Sequence, residues 1–212
     1  MVDIERESMN YDVVIVGAGP AGLATSIKLK QLNPNINVCV LEKGSEVGAH
    51  ILSGNVFETR ALDELIPDWK EKGAPIKTKV KKEKFLFLSK NGSISWPTWL
   101  LPNVQKNHNN YIISLANLCR WLAEQAEELG VEIFPGFAAS KILYSAKDEV
   151  IGVQTGDMGI DKNGINKSSF EPGLNIFSKI TVFAEGCRGH LGKEVINKYN
   201  LDQNKSPQQY GI

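Results

Sequence analysis

Apolar and polar positions change their period several times along the chain, and each change marks an element. Tyr11 to Val16 is a short apolar run of β-branched type, the pattern of a strand buried on both faces. Gly17 to Gly22 is turn chemistry, and Ala21 to Gln31 reads as a helix that Asn33 and Pro34 stop. Asn37 to Leu41 is a second β-branched strand. The opening of the chain therefore predicts a β-α-β unit, whose right-handed crossover makes the two strands parallel.

The period then lengthens. From Val56 to Trp69 the apolar residues Phe57, Ala61, Leu62, Leu65, Ile66 and Trp69 recur at three- and four-residue spacing between Glu58, Arg60, Asp63, Glu64 and Asp68, which predicts an amphipathic helix. Lys77 to Leu88 alternates and then turns apolar. With Ser93 to Trp96 across Lys90-Asn91-Gly92 it predicts an antiparallel hairpin, after which Pro97 and Pro102 break the pattern. Ile113 to Leu129 is the longest predicted helix, with Leu115, Leu118, Leu122, Ala126 and Leu129 on one stripe and Gly130 as its stop. Val131 to Phe134 returns to the sheet, Lys141 to Tyr144 and Val150 to Thr155 read as paired strands, and Leu174 to Ala184 as a further strand. Gly156 to Gly173 is rich in Gly, Asn, Asp and Ser and reads as a loop or loose hairpin. Tyr210-Gly211-Ile212 reads as a strand beginning, as in a truncated chain.

Composition narrows the classes. With 42% apolar residues among 212 and a formal charge of zero, the chain has the makeup of a globular protein with one or two cores. The sequence pI of about 6.8 gives no excess of Lys and Arg to track phosphates, so nucleic acid is not expected as a partner. Cys39, Cys119 and Cys187 form no C-x-x-C pair and complete neither a disulfide framework nor a metal ligand set. The first ten residues carry acids and no apolar core, unlike a secretory signal or a transit peptide. No window approaches the ~20 apolar residues that a spanning helix needs, so any membrane contact is expected to be peripheral.

The chemistry lies in Gly17-Ala18-Gly19-Pro20-Ala21-Gly22, a G-x-G-x-x-G between a predicted strand and a predicted helix, with Glu42 twenty residues beyond its last glycine. Gly17 turns the chain tightly, Gly19 leaves room for a diphosphate to approach the backbone, and Gly22 lets the helix pack close to the strand. The first helical amides have no intrahelical partners and lie at the positive end of the macrodipole, so they bind an anion without a basic side chain. Glu42 ends the second strand, where its carboxylate can accept both hydroxyls of an adenosine ribose. FAD and NAD both fit this logic. Small residues at Gly44, Gly48, Ser53 and Gly54, where the chain leaves the second strand, favour a bulky flavin tail.

Five stretches extend the motif: Asp12 to Gly22, Glu42 to Gly54, Ile66 to Pro75, Trp121 to Glu127 and Phe183 to Gly186. On them the chain resembles the electron transfer flavoprotein-ubiquinone oxidoreductase family nearly end to end, as the N-terminal part of a much longer family chain. The resemblance implies a Rossmann-like α/β FAD-binding domain of the glutathione-reductase/flavin-hydroxylase type with an inserted, incomplete antiparallel α+β portion. Residues 1–75 and 113–212 would form a discontinuous FAD-binding domain, and residues 76–112 a β-hairpin insertion towards a quinone- and membrane-facing subdomain. It implies that Val14 to Lys28, and within them Val16, Gly17, Ala18, Gly19, Pro20, Ala21 and Gly22, wrap the FAD diphosphate. Glu42 and Lys43 would meet the adenosine, Gly48, Ser53 and Gly54 would approach the flavin, and Ala184, Glu185 and Gly186 would form a later flavin-proximal turn. The implied activity is electron transfer from electron transfer flavoprotein to ubiquinone. A 4Fe-4S cluster is held in the family by cysteines near the C-terminus, none of which is present here. The implied location is peripheral, on the cytoplasmic face of a bacterial inner membrane or the matrix face of the mitochondrial one. No acid-base catalyst is named, because the cofactor performs the redox chemistry. This stretch alone is expected to bind FAD weakly.

Other features admit plainer readings. Phe57, Leu62, Leu65, Ile66 and Trp69 are the candidates for contact with a membrane surface, against the ordinary fate of packing on a core. Trp96, Trp99, Leu100 and Leu101 form a second apolar stretch. Lys77, Lys79, Lys81, Lys82 and Lys84 read as a solvated strand face, with an anionic surface as the rival. His50, His108 and His190 lack metal-site spacing, and Asp157, Asp161 and Asn163 lack the final Glu of a calcium loop. Two other functions stay open: an FAD-dependent monooxygenase or geranylgeranyl-reductase-like enzyme, and a non-catalytic nucleotide-binding module.

Overall fold

The structure, a computed structural model, describes residues 5–52, 54–162 and 164–203. In chain order its elements are β1 (Ser8–Val16), α1 (Pro20–Leu32), β2 (Val38–Glu42), β3 (Asn55–Phe57), α2 (Arg60–Leu65), β4 (Thr78–Lys79), β5 (Phe85–Ser89), β6 (Gly92–Trp96), β7 (Tyr111–Ile113), α3 (Leu115–Glu128), β8 (Glu132–Pro135), β9 (Ala139–Tyr144), β10 (Val150–Thr155), β11 (Met158–Ile160), β12 (Asn166–Glu171), β13 (Asn175–Phe183) and α4 (His190–Tyr199). The chain divides into two compact units, Met1–Ala49 with Leu122–Ile212, and His50–Trp121.

The first unit is built on a six-stranded sheet in the order β8-β2-β1-β13-β10-β9. The first four strands are mutually parallel, β10 runs antiparallel to β13, and β9 in turn runs antiparallel to β10. Val13, Val14 and Ile15 of β1 and Cys39, Val40 and Leu41 of β2 are almost wholly buried, as continuous β-branched runs between covered faces should be. The start of β1 extends the strand beyond the apolar run, because Ser8, Met9 and Asn10 pair through backbone with Asn175, Ile176 and Phe177 of the equally long β13. On α1, Leu23, Ser26, Ile27 and Lys30 are buried. The Lys30 ammonium is satisfied there by the carbonyls of Pro34 at 2.9 Å and Ile36 at 3.2 Å, which closes the end of the helix. The Tyr11 hydroxyl donates to Glu132 at 2.8 Å beside the buried Cys39. Burial and the neighbouring Glu132 carboxylate push the Cys39 thiol up to about 12.

The second unit holds a three-stranded sheet, β3-β7-β4, and the separate hairpin β5-β6. The Trp69 indole donates to Asp63 at 2.7 Å and meets Tyr111 edge to face at 6.2 Å, while the Trp121 indole donates to the Lys72 carbonyl at 3.1 Å.

Several sequence expectations need correcting. Val56 to Trp69 is not one helix. Asn55 to Phe57 pair with Tyr111 to Ile113 as a strand, and the helix is confined to Arg60–Leu65. Pro67 is the reason: the residue before a proline is driven out of the α region, and Ile66 sits at φ −137°, ψ 82°. The strand predicted over Lys77 to Leu88 is split into β4 and β5, although the hairpin itself forms with Ser89 opposite Gly92. The helix predicted from Ile113 starts at Leu115, and Leu129 is exposed rather than part of the buried stripe. Of the two readings of residues 156–173, loop or loose hairpin, the hairpin holds, as the antiparallel pair β11-β12 with a register shift. Helix α4 has no counterpart in the sequence expectations. The strand expected at Tyr210 to Ile212 lies outside the described residues.

Candidate dinucleotide site

Three loops leave the same edge of the parallel sheet. Val16, the last residue of β1, pairs with Leu41 on one side and Phe183 on the other. The Gly17 amide donates to the Leu41 carbonyl and the Ala184 amide to the Val16 carbonyl, both at 2.8 Å. The chain therefore exits β1, β2 and β13 together, at the carboxyl ends where open α/β sheets place their ligands.

The glycines of the first loop do different work. Gly17 takes φ 107°, and a Cβ on it would stand 2.5 Å from the Ala184 carbonyl oxygen. A Cβ on Gly22 would stand 2.0 Å from the Gly17 carbonyl oxygen, so α1 packs against the turn only because that residue lacks a side chain. Gly19 differs: a Cβ there would meet nothing within 4 Å, and the neighbouring Pro20 and Ala21 are exposed. The open side of Gly19 adjoins the start of α1, which carries Pro in its first turn, no acidic residue there, and no side-chain cap on Gly19. This is the surface that a diphosphate needs.

Glu42 is anchored. Its carboxylate accepts the Ala18 amide at 3.1 Å and the Gly44 amide at 2.7 Å, tying the β2 loop to the β1 turn. Four lone-pair sites on a carboxylate leave room for two hydroxyl donors besides these amides. The second loop is pinned further by the Gly136 amide, which donates to the Gly44 carbonyl at 2.7 Å. Lys43 is exposed, and Gly48 is buried at φ 86°.

In the third loop Gly186 takes φ 74°, and the Glu185 carboxylate turns to the start of α4, accepting the Leu191 and Gly192 amides. Sequence reasoning missed this link and the Gly44–Gly136 bond. Its one signal was Gly186, Gly189 and Gly192 at three-residue intervals, a spacing that leaves room for a side chain folded over a helix start.

The structure thus brings Val16 to Gly22, Glu42, Lys43, Ala184, Glu185 and Gly186 to one edge of one sheet. Gly54, at φ 85°, belongs to the other unit, and Ser53 lies outside the described residues. Of the apolar candidates for a membrane, Leu62, Ile66 and Trp69 are 3–5% exposed and serve their own core. Phe57 and Leu65 are half-buried. The exposed apolar side chains of that unit include Phe87, Leu88, Ile94, Trp96, Trp99 and Leu100. No helix among the described residues is long and apolar enough to cross a membrane.

Residues 15–67 match the NAD(P)-binding Rossmann-like domain family. The probable electron transfer flavoprotein-ubiquinone oxidoreductase of Acinetobacter baylyi is 58% identical over the whole chain, which spans 38% of that protein. The Pseudomonas aeruginosa protein of that name is 55% identical over 99% of the chain, 39% of its own length, and the Bos taurus mitochondrial protein 49% identical over all of the chain, 35% of its own length. Among solved structures, a geranylgeranyl bacteriochlorophyll reductase-like protein of Thermoplasma acidophilum superposes with a TM-score of 0.61 at 20% identity, over 84% of this chain and 40% of that one. The p-nitrophenol 4-monooxygenase of Pseudomonas putida gives 0.56 at 20% identity, over 89% of this chain and 44% of its own. These two likenesses establish the fold: a Rossmann-like α/β domain with a parallel sheet.

Proposed function

We propose that this chain, homologous along its whole length to the N-terminal part of electron transfer flavoprotein-ubiquinone oxidoreductases, forms the FAD-cradling part of an enzyme that passes electrons from electron transfer flavoprotein to ubiquinone. The observation that carries the reading is the open backbone at Gly19, set between two glycines that have no room for a side chain.

The chain's own residues bind and orient. The amides from Gly17 to Gly22 hold the diphosphate, and Glu42, fixed through Ala18 and Gly44, takes the adenosine ribose while its charge repels a 2'-phosphate. Lys43 lies by the adenosine, and Gly48 and the Ala184 to Gly186 turn approach the flavin end. FAD, when bound, supplies the one- and two-electron redox chemistry, so no acid-base side chain is required of the protein. A 4Fe-4S cluster belongs to the part of the relatives that this chain does not span.

Residues 76–112 form the portion turned towards quinone and membrane. Its exposed Phe87, Leu88, Ile94, Trp96 and Trp99, beside the exposed Lys77, Lys79, Lys81, Lys82 and Lys84, support a peripheral hold on an anionic bilayer. The face is the cytoplasmic one of a bacterial inner membrane or the matrix one of a mitochondrial inner membrane.

The test uses the complete natural polypeptide that carries these residues. It should purify with a flavin absorption spectrum and be reduced by electron transfer flavoprotein without NADPH. A flavin reduced only by NADPH would move the protein to the monooxygenase class, and a colourless protein that takes up no FAD would end the reading.

A further inference from the structure

Glu185 stands at the flavin end of the proposed site, yet its carboxylate faces away, towards a helix. Its side chain is 11% exposed. One oxygen accepts the Gly192 amide at 2.7 Å, and the other accepts the Leu191 amide at 3.4 Å with the His190 Nδ1 also 3.4 Å away. Leu191 and Gly192 are the second and third residues of α4, whose amides have no intrahelical acceptor and sit at the positive end of the helix. The backbone is shaped for this reach. A Cβ on Gly189 would lie 2.4 Å from the Glu185 Cβ, and one on Gly192 3.4 Å from a carboxylate oxygen.

The other end of the same residue is equally fixed. Ala184, its neighbour, donates its amide to Val16 and lays its carbonyl where Gly17 has no room for a side chain. The path from α4 to the glycine turn is therefore Glu185 carboxylate, Ala184 backbone, Gly17. Resting on the FAD reading above, we propose that Glu185 is a positioning residue: by capping α4 it holds the Ala184 to Gly186 turn against Gly17, and so sets the site for FAD without needing a bond to the cofactor.

Two variants separate this from direct contact. Glu185→Ala removes the acceptor, and Gly192→Pro keeps the Glu185 side chain but removes the donor of its shorter bond and sets a ring carbon in the carboxylate's path. In the complete natural polypeptide both should raise hydrogen exchange at Leu191 and weaken FAD binding about tenfold, the scale of a lost cap, as read by quenching of flavin fluorescence. Should Gly192→Pro fail to fold, Glu185→Gln, of the same size and uncharged, must move exchange at Leu191 and Gly192 together with FAD affinity. Weaker FAD binding with α4 exchange unchanged would overturn the inference in favour of direct contact. Faster exchange with unchanged affinity would reduce Glu185 to a cap alone. A wild-type protein that binds no FAD would overturn the dinucleotide reading itself, and this inference with it.

Discussion

The carbonyl oxygen of Gly17 lies 2.0 Å from where a Cβ on Gly22 would have to stand. The approach is backbone against backbone, and no rotamer relieves it. Gly22→Ala should therefore lift α1 off β1 and cost stability at the upper end of the ~1–3 kcal/mol typical of overpacking. Gly19→Ala should not: Gly19 is at φ −80°, ψ −179°, which alanine adopts freely, and its outer side is open. Denaturant unfolding of the two variants should separate them, with Gly19→Ala within about 0.5 kcal/mol of wild type. Gly19→Ala should nonetheless weaken FAD binding by about tenfold or more, since its methyl stands between diphosphate and amide. Equal stability losses in the two variants would contradict this division of labour.

Glu42 carries the second prediction. Because both oxygens already accept backbone amides, from Ala18 and Gly44, the residue is structural before any ligand arrives. Glu42→Gln keeps the shape but sets an amide NH2 against one of those N–H donors. A charge-assisted hydrogen bond of this kind contributes about 1.5–3 kcal/mol, so urea unfolding of the ligand-free protein should show a loss on that scale. No loss without ligand would mean that Glu42 serves only the ribose.

How far the sequence was legible follows the reach of each interaction. The β1-turn-α1-β2 opening could be read almost residue by residue, because β-branched runs, glycine spacing and Pro34 are local signals. The boundaries of α2 could not be read from periodicity, since Ala61, Leu62 and Leu65 fit a helical stripe that Pro67 cuts short and that Phe57 leaves to pair with Tyr111. In the site, the glycines and Glu42 were legible from spacing. The Glu185 cap on α4 was not, since it depends on where a helix begins after an irregular turn. Burial of Trp69 was equally hidden, because it rests on Asp63 and on Tyr111 of β7, remote in sequence.

The β5-β6 hairpin yields a third prediction. Its register sets Phe85 opposite Trp96 and Phe87 opposite Ile94, with Phe87 edge to face on Trp96 at 5.9 Å, while Leu86 and Leu88 lie on the opposite face across from Ser95 and Ser93. Phe87, Leu88 and Ile94 are more than half exposed. A two-stranded hairpin of this kind is marginal in water alone and gains stability from an apolar cover. If that cover is a bilayer, Leu88→Asp with Ile94→Asp should abolish co-sedimentation with anionic liposomes and leave FAD content unchanged. Wild-type binding should also weaken as salt rises, because attraction by the nearby lysines is screened within about 10 Å at ordinary ionic strength. Unchanged liposome binding by the double variant would move the contact elsewhere.

The last prediction concerns acid. Arg6 grips Asp157 with both terminal guanidinium nitrogens, and the Gly173 amide donates to the same carboxylate at 2.8 Å. The Arg6 hydrogen bond first, and the Gly173 amide second, hold the Asp157 carboxyl down at about 2, against 3.8 for a free aspartate. The folded value lies below the unfolded one, so the unfolded chain binds the proton first. The stabilisation is then complete above 3.8 and is lost as pH falls from there towards 2. Asp157→Asn removes this titration, so its stability should fall less steeply than that of wild type across that window, starting from a lower value near neutrality. Urea unfolding at a series of pH values measures both slopes. Parallel acid limbs would show that Asp157 titrates alike in the folded and unfolded chain, and that the Arg6 contact does not tie the N-terminal segment to the β10–β13 edge in solution.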